Sequence, residues 1–357
     1  MMVDESALQA IATLSREYGT TEYVRGGGGN TSVKDEATVW IKPSGKALRE
    51  MTAEGFVAVD RGRLEEVYAA QPPTELAARE AMIKDLMKAA VRAETPGRAS
   101  VETLLHDSLE AAYAVHTHPP LVNGLTCAKE GKAAAQRLFP EALWVDYVDP
   151  GYTLCMHVRE RIAEHKAARG EEPAMILLKN HGGFVAGATP AAVREIYGEM
   201  MEKLEGAYRE AGVKTELEIG ALPEAGRLAA MEGQIREALG DGNGALAAGA
   251  FEVPQGPLTP DHIVYAKAFP YIGEPTAEGV AQFRAERGYL PQVIAWDGAV
   301  FGAGKSEKEA GLTLELAEDG ARVLQLTAAF GGVEWLDRAA REFIENWEVE
   351  AYRKRQV

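Results

Sequence analysis

At 357 residues with a formal charge of −16, the chain is long enough for one large or two ordinary domains. It is also too acidic for a nucleic-acid or anionic-membrane partner, both of which need a basic face. Its 46% hydrophobic and 26% charged composition is that of a soluble globular protein. It contains no apolar run of about 18 residues, and the acidic start Met1-Met2-Val3-Asp4-Glu5 does not read as a signal peptide. The two cysteines, Cys127 and Cys155, make neither a Cys-x-x-Cys pair nor a disulfide framework, so a reduced cytoplasmic setting is expected. Screening confines the acidic field to about 8 Å at physiological salt. An anionic substrate would therefore have to be held by local backbone N–H groups, hydroxyls or a metal.

In chain order, Leu8, Ile11, Leu14 and Tyr18 predict a helix over 4–18 with Gly19 as its stop. Gly26-Gly27-Gly28-Gly29-Asn30-Thr31-Ser32-Val33 reads as a tight turn into a strand, with Thr38–Lys42 as its hairpin partner. Pro43-Ser44-Gly45 is a second turn and Phe56–Asp60 another strand. A loop with Pro72-Pro73 leads to a helix over about 74–93, broken at Pro96-Gly97, and Val101–Ala112 predicts a further helix. The apolar run Ala111–Val115 then makes a strand ending in His116-Thr117-His118, followed by a helix near 121–138 and short strands around 143–147. A helix over 153–168, strands at Met175 and Phe184, and a long helix from Pro190 to about Ala211 close this part. The acidic stretch 212–250, with Gly240-Asp241-Gly242-Asn243-Gly244, reads as a mobile connection. Beyond it, Val293–Trp296 and Val300-Phe301 pair about Asp297-Gly298, and helices follow near 306–330 and 333–353. Irregular alternation of short strands and helices implies a layered α/β domain. The expected division is a catalytic domain over 1–215, a connection over 216–250 and a smaller α+β unit over 251–357.

The chemistry concentrates in the histidines. On a strand, residues i and i+2 share a face, so His116 and His118 can reach one cation. Pro119-Pro120 stops the strand just beyond, placing the pair at a sheet edge or mouth. His181, which follows Met175–Leu178 and precedes Gly182-Gly183, adds a third imidazole, and three imidazoles with one open position suit a catalytic zinc. Core histidines satisfied by hydrogen bonds are the plain alternative. Ser100-Val101-Glu102 opens a helix, with Ser100 as N-cap and Glu102 either favouring the helix dipole or acting as a general base beside the metal. The glycine turn with Asn30 and Thr31, and the Ser44-Gly45 turn, suit anion capture, although ordinary hairpin turns would look the same. A dinucleotide fingerprint is excluded because Thr31 stands where the last glycine belongs. Gly304-Lys305-Ser306 is no P-loop, because the required earlier glycine is Ala299.

Taken together, Gly29-Asn30-Thr31-Ser32, Lys42-Pro43-Ser44-Gly45, Ser100-Val101-Glu102 with His106, His116-Thr117-His118-Pro119 and Asn180-His181-Gly182 resemble the class II aldolase/adducin family over roughly residues 5–210. Thr259-Pro260-Asp261-His262 and Phe301–Lys305 more loosely resemble the aldolase half of bifunctional rhamnulose-phosphate aldolase/lactaldehyde dehydrogenase proteins, without a dehydrogenase domain. The resemblance implies a three-layer α/β/α fold around a mixed, largely antiparallel sheet. It also implies zinc, or another divalent ion, on His116, His118 and His181. Glu102 would ligate the ion until substrate displaces it and then serve as base, with Tyr147 as an acid presented to a neighbouring subunit. Asn30, Ser44, Gly45 and Ser100 would hold a substrate phosphate, from which Val101 removes a hydroxyl present in the fuculose-phosphate enzymes. His106 is expected as a structural support, and His157, His165 and His262 as surface or packing residues. The implied activity is retro-aldol cleavage or aldol formation of a ketose 1-phosphate through a metal-stabilised enediolate, giving dihydroxyacetone phosphate and an aldehyde. A homo-oligomer, typically a tetramer, is implied as well. The alternatives are a pentulose 5-phosphate 4-epimerase, a non-catalytic adducin-like interaction module, or an amidohydrolase-type barrel recruiting His181, His262 and Asp297.

Overall fold

The computed structural model describes residues 3–95, 97–240 and 242–347. Pro96, Asp241 and the predicted helix beyond residue 347 lie outside the described residues. The chain forms two compact units. One holds Met1–Val122 and Ala133–Lys203, the other Asn123–Lys132 and Leu204–Ala351, over their described residues.

In chain order the first unit begins with α1 (Glu5–Glu17), β1 (Asn30–Lys34), β2 (Thr38–Ile41), β3 (Val57–Asp60), α2 (Arg61–Tyr68), α3 (Leu76–Ala90) and α4 (Thr103–Ser108). It continues through β4 (Tyr113–Thr117), β5 (Leu143–Val145), α7 (Tyr152–Arg169), β6 (Met175–Leu178) and β7 (Gly182–Gly187), while α5 (Pro120–Thr126), α6 (Gly131–Leu138) and α8 (Pro190–Glu210) each have residues in both units. The seven strands run in the order β3-β2-β1-β4-β7-β6-β5. All neighbours are antiparallel except β5 and β6, which are parallel.

Strand alternation sorts the two faces. Ala114, Phe184 and Ala186 join Leu64 and Val67 of α2, Ile83 of α3, Leu104 and Leu105 of α4 and Val158 and Ile162 of α7 in one apolar core. On the other face Thr31 Oγ1 meets Ser15 Oγ of α1 at 2.6 Å, and Thr117 Oγ1 hydrogen-bonds Tyr197 of α8. Tyr18 stacks on Tyr197 with ring centroids 4.4 Å apart, closing the layer from α1 to α8. The fold is thus a three-layer α/β/α sandwich on a mixed, mainly antiparallel sheet.

The second unit carries α9 (Ala225–Leu239), β8 (Gly244–Gly249), α10 (Pro260–Tyr265), β9 (Tyr271–Ile272), α11 (Ala277–Arg287), β10 (Val293–Trp296), β11 (Ala299–Gly304), α12 (Glu307–Thr327) and α13 (Arg338–Asn346). Its sheet runs β8-β11-β10-β9, and Met231, Ile235, Val280, Ile294 and Phe301 form its core. Ser306 caps α12 by accepting from Glu309 N at 3.1 Å, while Glu309 Oε2 takes Lys305 N at 2.9 Å. The Lys305-Ser306 pair is therefore a helix cap.

Several expectations are corrected. The stretch 212–250 is not a bare connection, since it contains α9 and β8, and β8 pairs with β11 from Ala299↔Gly249 to Gly304↔Gly244. Helix α2 has no counterpart among the predicted elements: only Leu64 and Val67 of its eight residues are buried, and its start is set by Asp60, which accepts from Arg63 N at 3.2 Å. The helix read over 101–112 is confined to Thr103–Ser108, because Leu109 turns extended to reach β4. The single helix read near 121–138 is two. Between them Lys129 N and Glu130 N bond the carbonyls of Gly332 and Phe330 instead of helical partners, a long-range pairing that local pattern does not show.

Candidate metal centre

β4 is the middle strand of the sheet, so His116 and His118 sit at the end of a central strand and not at a sheet edge. Register places Asn30 of β1 opposite His116 on one side and Phe184 of β7 opposite it on the other. The fully buried His116 ring lies flat on Phe184, 4.0 Å between centroids and 11° between planes. Its Nδ1 is 2.9 Å from the Gly183 carbonyl. A carbonyl only accepts, so Nδ1 carries the proton and Nε2 keeps its lone pair for a ligand.

Thr117 points to the opposite face, as strand alternation requires, and His118 returns to the side of His116. The backbone of His118 is tied by its N–H to Tyr23 O at 2.9 Å. His118 Nε2 stands 2.9 Å from His116 Nε2. Two ring nitrogens approach so closely only across a shared proton or a cation. His181 comes from the three-residue turn between β6 and β7. There Asn180 adopts the left-handed region (φ 53°), a conformation its short polar side chain tolerates better than most residues. The ligand nitrogens of the three histidines lie within 4.8 Å of one another.

Glu102 joins them from the turn ahead of α4. Here Glu102 itself occupies the N-cap position expected of Ser100 (φ −88°, ψ 4°), and Ser100 Oγ accepts from Glu102 N at 3.2 Å. Glu102 Oε1 lies 3.3 Å from His116 Nε2 and 3.7 Å from His181 Nε2. Donor atoms around a tetrahedral zinc, each about 2.0–2.1 Å from the ion, sit about 3.3–3.4 Å apart. The spacings of 2.9, 3.3 and 3.7 Å straddle that value, and with a tautomer that frees His116 Nε2 the donor set suits a divalent ion. Burial by itself raises the Glu102 carboxyl, but His116, His181 and His118 outweigh it and hold the group well below the usual carboxylate range. Burial keeps His106 well below the usual imidazole range, and its Nδ1 bonds Ser32 Oγ at 2.8 Å, consistent with a supporting role.

Asn30 Nδ2 donates to Glu102 Oε2, while Asn30 Oδ1 is buried and has no hydrogen-bond partner. The turn bearing Ser44 and Gly45 (φ 84°) lies beside the segment leading to Ser100, with Ser44 N bonded to Arg98 O at 2.9 Å and Pro43 bridged to Ala99. The buried Lys42 had no assigned role in the sequence. Its Nζ donates to Lys46 O (2.7 Å) and Gly27 O (3.4 Å), lacing the glycine turn to the Ser44 turn. A buried lysine after an apolar strand was the available signal. At Gly29 (φ 70°) a Cβ would sit 2.9 Å from His116 O, so only glycine lets this turn close on the end of β4. Tyr147 lies in the loop after β5, its hydroxyl donating to Asp149 Oδ1 at 3.2 Å. His262 is in the second unit, between Thr259 Oγ1 (2.7 Å from Nδ1) and Asp319 Oδ2 (3.2 Å from Nε2). Asp297 is at a hairpin tip, paired with Arg227. With an open sheet in place of a barrel, the amidohydrolase alternative falls.

Comparisons with known proteins show the family. A Bacillus subtilis (strain 168) protein called "Uncharacterized oxidoreductase YuxG" is 31% identical over 173 residues, a match spanning 46% of this chain and 24% of that one. Among solved structures, the N-terminal class II aldolase domain of a conserved Thermoplasma acidophilum protein is 22% identical, covering 58% of this chain and 95% of that one with a TM-score of 0.48. L-fuculose-1-phosphate aldolase from Thermus thermophilus is 20% identical, covering 58% and 97%, with a TM-score of 0.37. The family model described as Class II Aldolase and Adducin N-terminal domain matches residues 9–207, a stretch that contains all three histidines, Glu102 and Asn30. That match runs over more than half of the sequence, and the chain belongs to the class II aldolase and adducin family.

Proposed function

We propose that the protein is a metal-dependent aldolase that cleaves or forms the C3–C4 bond of a ketose 1-phosphate, with dihydroxyacetone phosphate and an aldehyde as the other side of the reaction. The observation that carries this reading is the convergence of His116, His118 and His181 with the Glu102 carboxylate at one end of the sheet. The three histidines would hold zinc, with Glu102 beside it. Zinc, when bound, supplies Lewis acidity toward oxygens on which negative charge develops.

The residues of the chain divide the remaining work. Glu102, whose Oε1 faces the ring nitrogens of His116 and His181, would accept the proton of the aldol hydroxyl. Ser100 Oγ accepts from Glu102 N, which leaves its own proton to donate to a phosphate oxygen beside Ser44 and the Gly45 backbone. Val101 offers no hydroxyl, so this phosphate site relies on fewer side-chain donors and more on backbone N–H groups. Tyr147 is assigned the return of a proton to the three-carbon fragment, in an oligomer that brings the loop after β5 of one copy to the site of another. A cytoplasmic homo-oligomer acting on a small sugar phosphate completes the proposal.

The deciding experiment incubates the zinc-loaded protein with a panel of ketose 1-phosphates and their unphosphorylated sugars and follows dihydroxyacetone phosphate. Release from one phosphorylated ketose supports the aldolase reading. Interconversion of pentulose 5-phosphates without release would replace it by the 4-epimerase, and turnover of none by a protein that binds no metal would leave the adducin-like module.

A further inference from the structure

Asn30 stands where the sequence suggests a phosphate ligand, yet its geometry faces a different partner. Register sets it across from His116, on the face of the sheet that α4 covers. Its Nδ2 donates to Glu102 Oε2, not to the oxygen that pairs with His116 and His181. The other oxygen, Oε1, is then the one left 3.3 Å from His116 Nε2 and 3.7 Å from His181 Nε2. Asn30 is 6% exposed and held in β1 by pairing to β4, so its amide is a fixed donor and not a mobile one. The group left over on Asn30 is Oδ1, a buried acceptor with no hydrogen-bond partner. A phosphate offers acceptors too and cannot satisfy it; a hydroxyl or a water can.

We propose that Asn30 is a positioning residue that fixes the Glu102 carboxylate, directing Oε1 into the metal site and thereby strengthening metal binding in the substrate-free protein. This rests on the metal-dependent reading above. A carboxylate free to rotate would spend part of its time with neither oxygen toward the histidines. Partners that orient metal ligands typically contribute about 10–100-fold in affinity.

The test is a double-mutant cycle read by zinc affinity, with the substrate-free full chain titrated against a competing chelator. Asn30→Ala is expected to weaken zinc about tenfold or more in the wild-type background and less than about twofold in a Glu102→Ala background, because the effect passes through the carboxylate. Asn30→Asp, which keeps the shape but replaces the donor with a second carboxylate, is expected to weaken it at least as much. Circular dichroism checks that each variant folds. If one fails to fold, the other carries the comparison. Equal losses in both backgrounds, or zinc affinity within about twofold of wild type in a folded variant, overturn the proposal. A rise in KM confined to phosphorylated substrates with unchanged zinc affinity would return Asn30 to the phosphate. Failure of the wild type itself to bind a divalent ion would instead remove the metal reading beneath it.

Discussion

Gly182 makes the sharpest claim about how the candidate metal centre is built. It follows His181 and opens β7, directly against the end of β4. A Cβ at this position would lie 2.5 Å from the Thr117 carbonyl oxygen and 2.7 Å from His118 Cδ2. Comfortable separations between carbon atoms are about 3.5–4.0 Å, so both contacts overlap by close to an ångström. Neither neighbour is the loose end of a side chain. The carbonyl belongs to the central strand, and the His118 ring is held against His116. Gly182→Ala must therefore displace the ring, the strand end, or both. Forced overpacking of this sort costs about 1–3 kcal/mol. Turning His118 aside removes one of three imidazoles, so zinc affinity is expected to fall at least about tenfold. Chemical denaturation of the metal-free protein reads the first effect, and chelator competition reads the second. Stability within about 0.5 kcal/mol of wild type together with unchanged zinc affinity would refute the packing argument.

Other substitutions test separate parts of the structure. Glu102→Gln should fold and still load with zinc through the three imidazoles, at lower affinity, but at saturating zinc lose about 10²–10⁴-fold in turnover, measured on whichever ketose phosphate is cleaved; near-normal rates would assign the base elsewhere. Lys34 is 3% exposed, and burial pushes its ammonium down to about 8, partly offset by Asp107. Its folded value lies below the unfolded one, so the unfolded chain binds more protons between about pH 8 and 10.5, and the contribution of Lys34 to stability rises with pH across that window. Lys34→Met should accordingly gain on wild type below pH 8 and lose that advantage, by about 3 kcal/mol, as pH approaches 10.5; a difference that does not change with pH in urea titrations counts against it. At Gly198, inside α8, an added Cβ would meet nothing within 4 Å. Gly198→Ala should raise stability by about 0.5–1 kcal/mol through the entropy of the unfolded chain, and a lower melting temperature would show a neighbour at that face.

What the sequence carried by itself were the features whose cause is local. Two-residue alternation puts His116 and His118 on one side of a strand whatever the strand pairs with, and Thr117 duly faces Tyr197 on the other. The glycine turn before Asn30, the hairpin to Thr38–Ile41 and the Asn180-His181-Gly182 turn likewise follow from nearby backbone chemistry. Pairing across long separations settled the rest. The placement of β4 at the centre of the sheet, the break between α5 and α6 and the pairing of β8 with β11 depend on hydrogen bonds between segments far apart in the chain, which no window of residues contains. The same holds at the candidate metal centre. Three histidines and a glutamate could be named from their order, but only the register of β1, β4 and β7 decides that Asn30 meets Glu102 and that His181 arrives beside His116. Side-chain chemistry is written residue by residue, whereas convergence is set by the packing of the whole sheet.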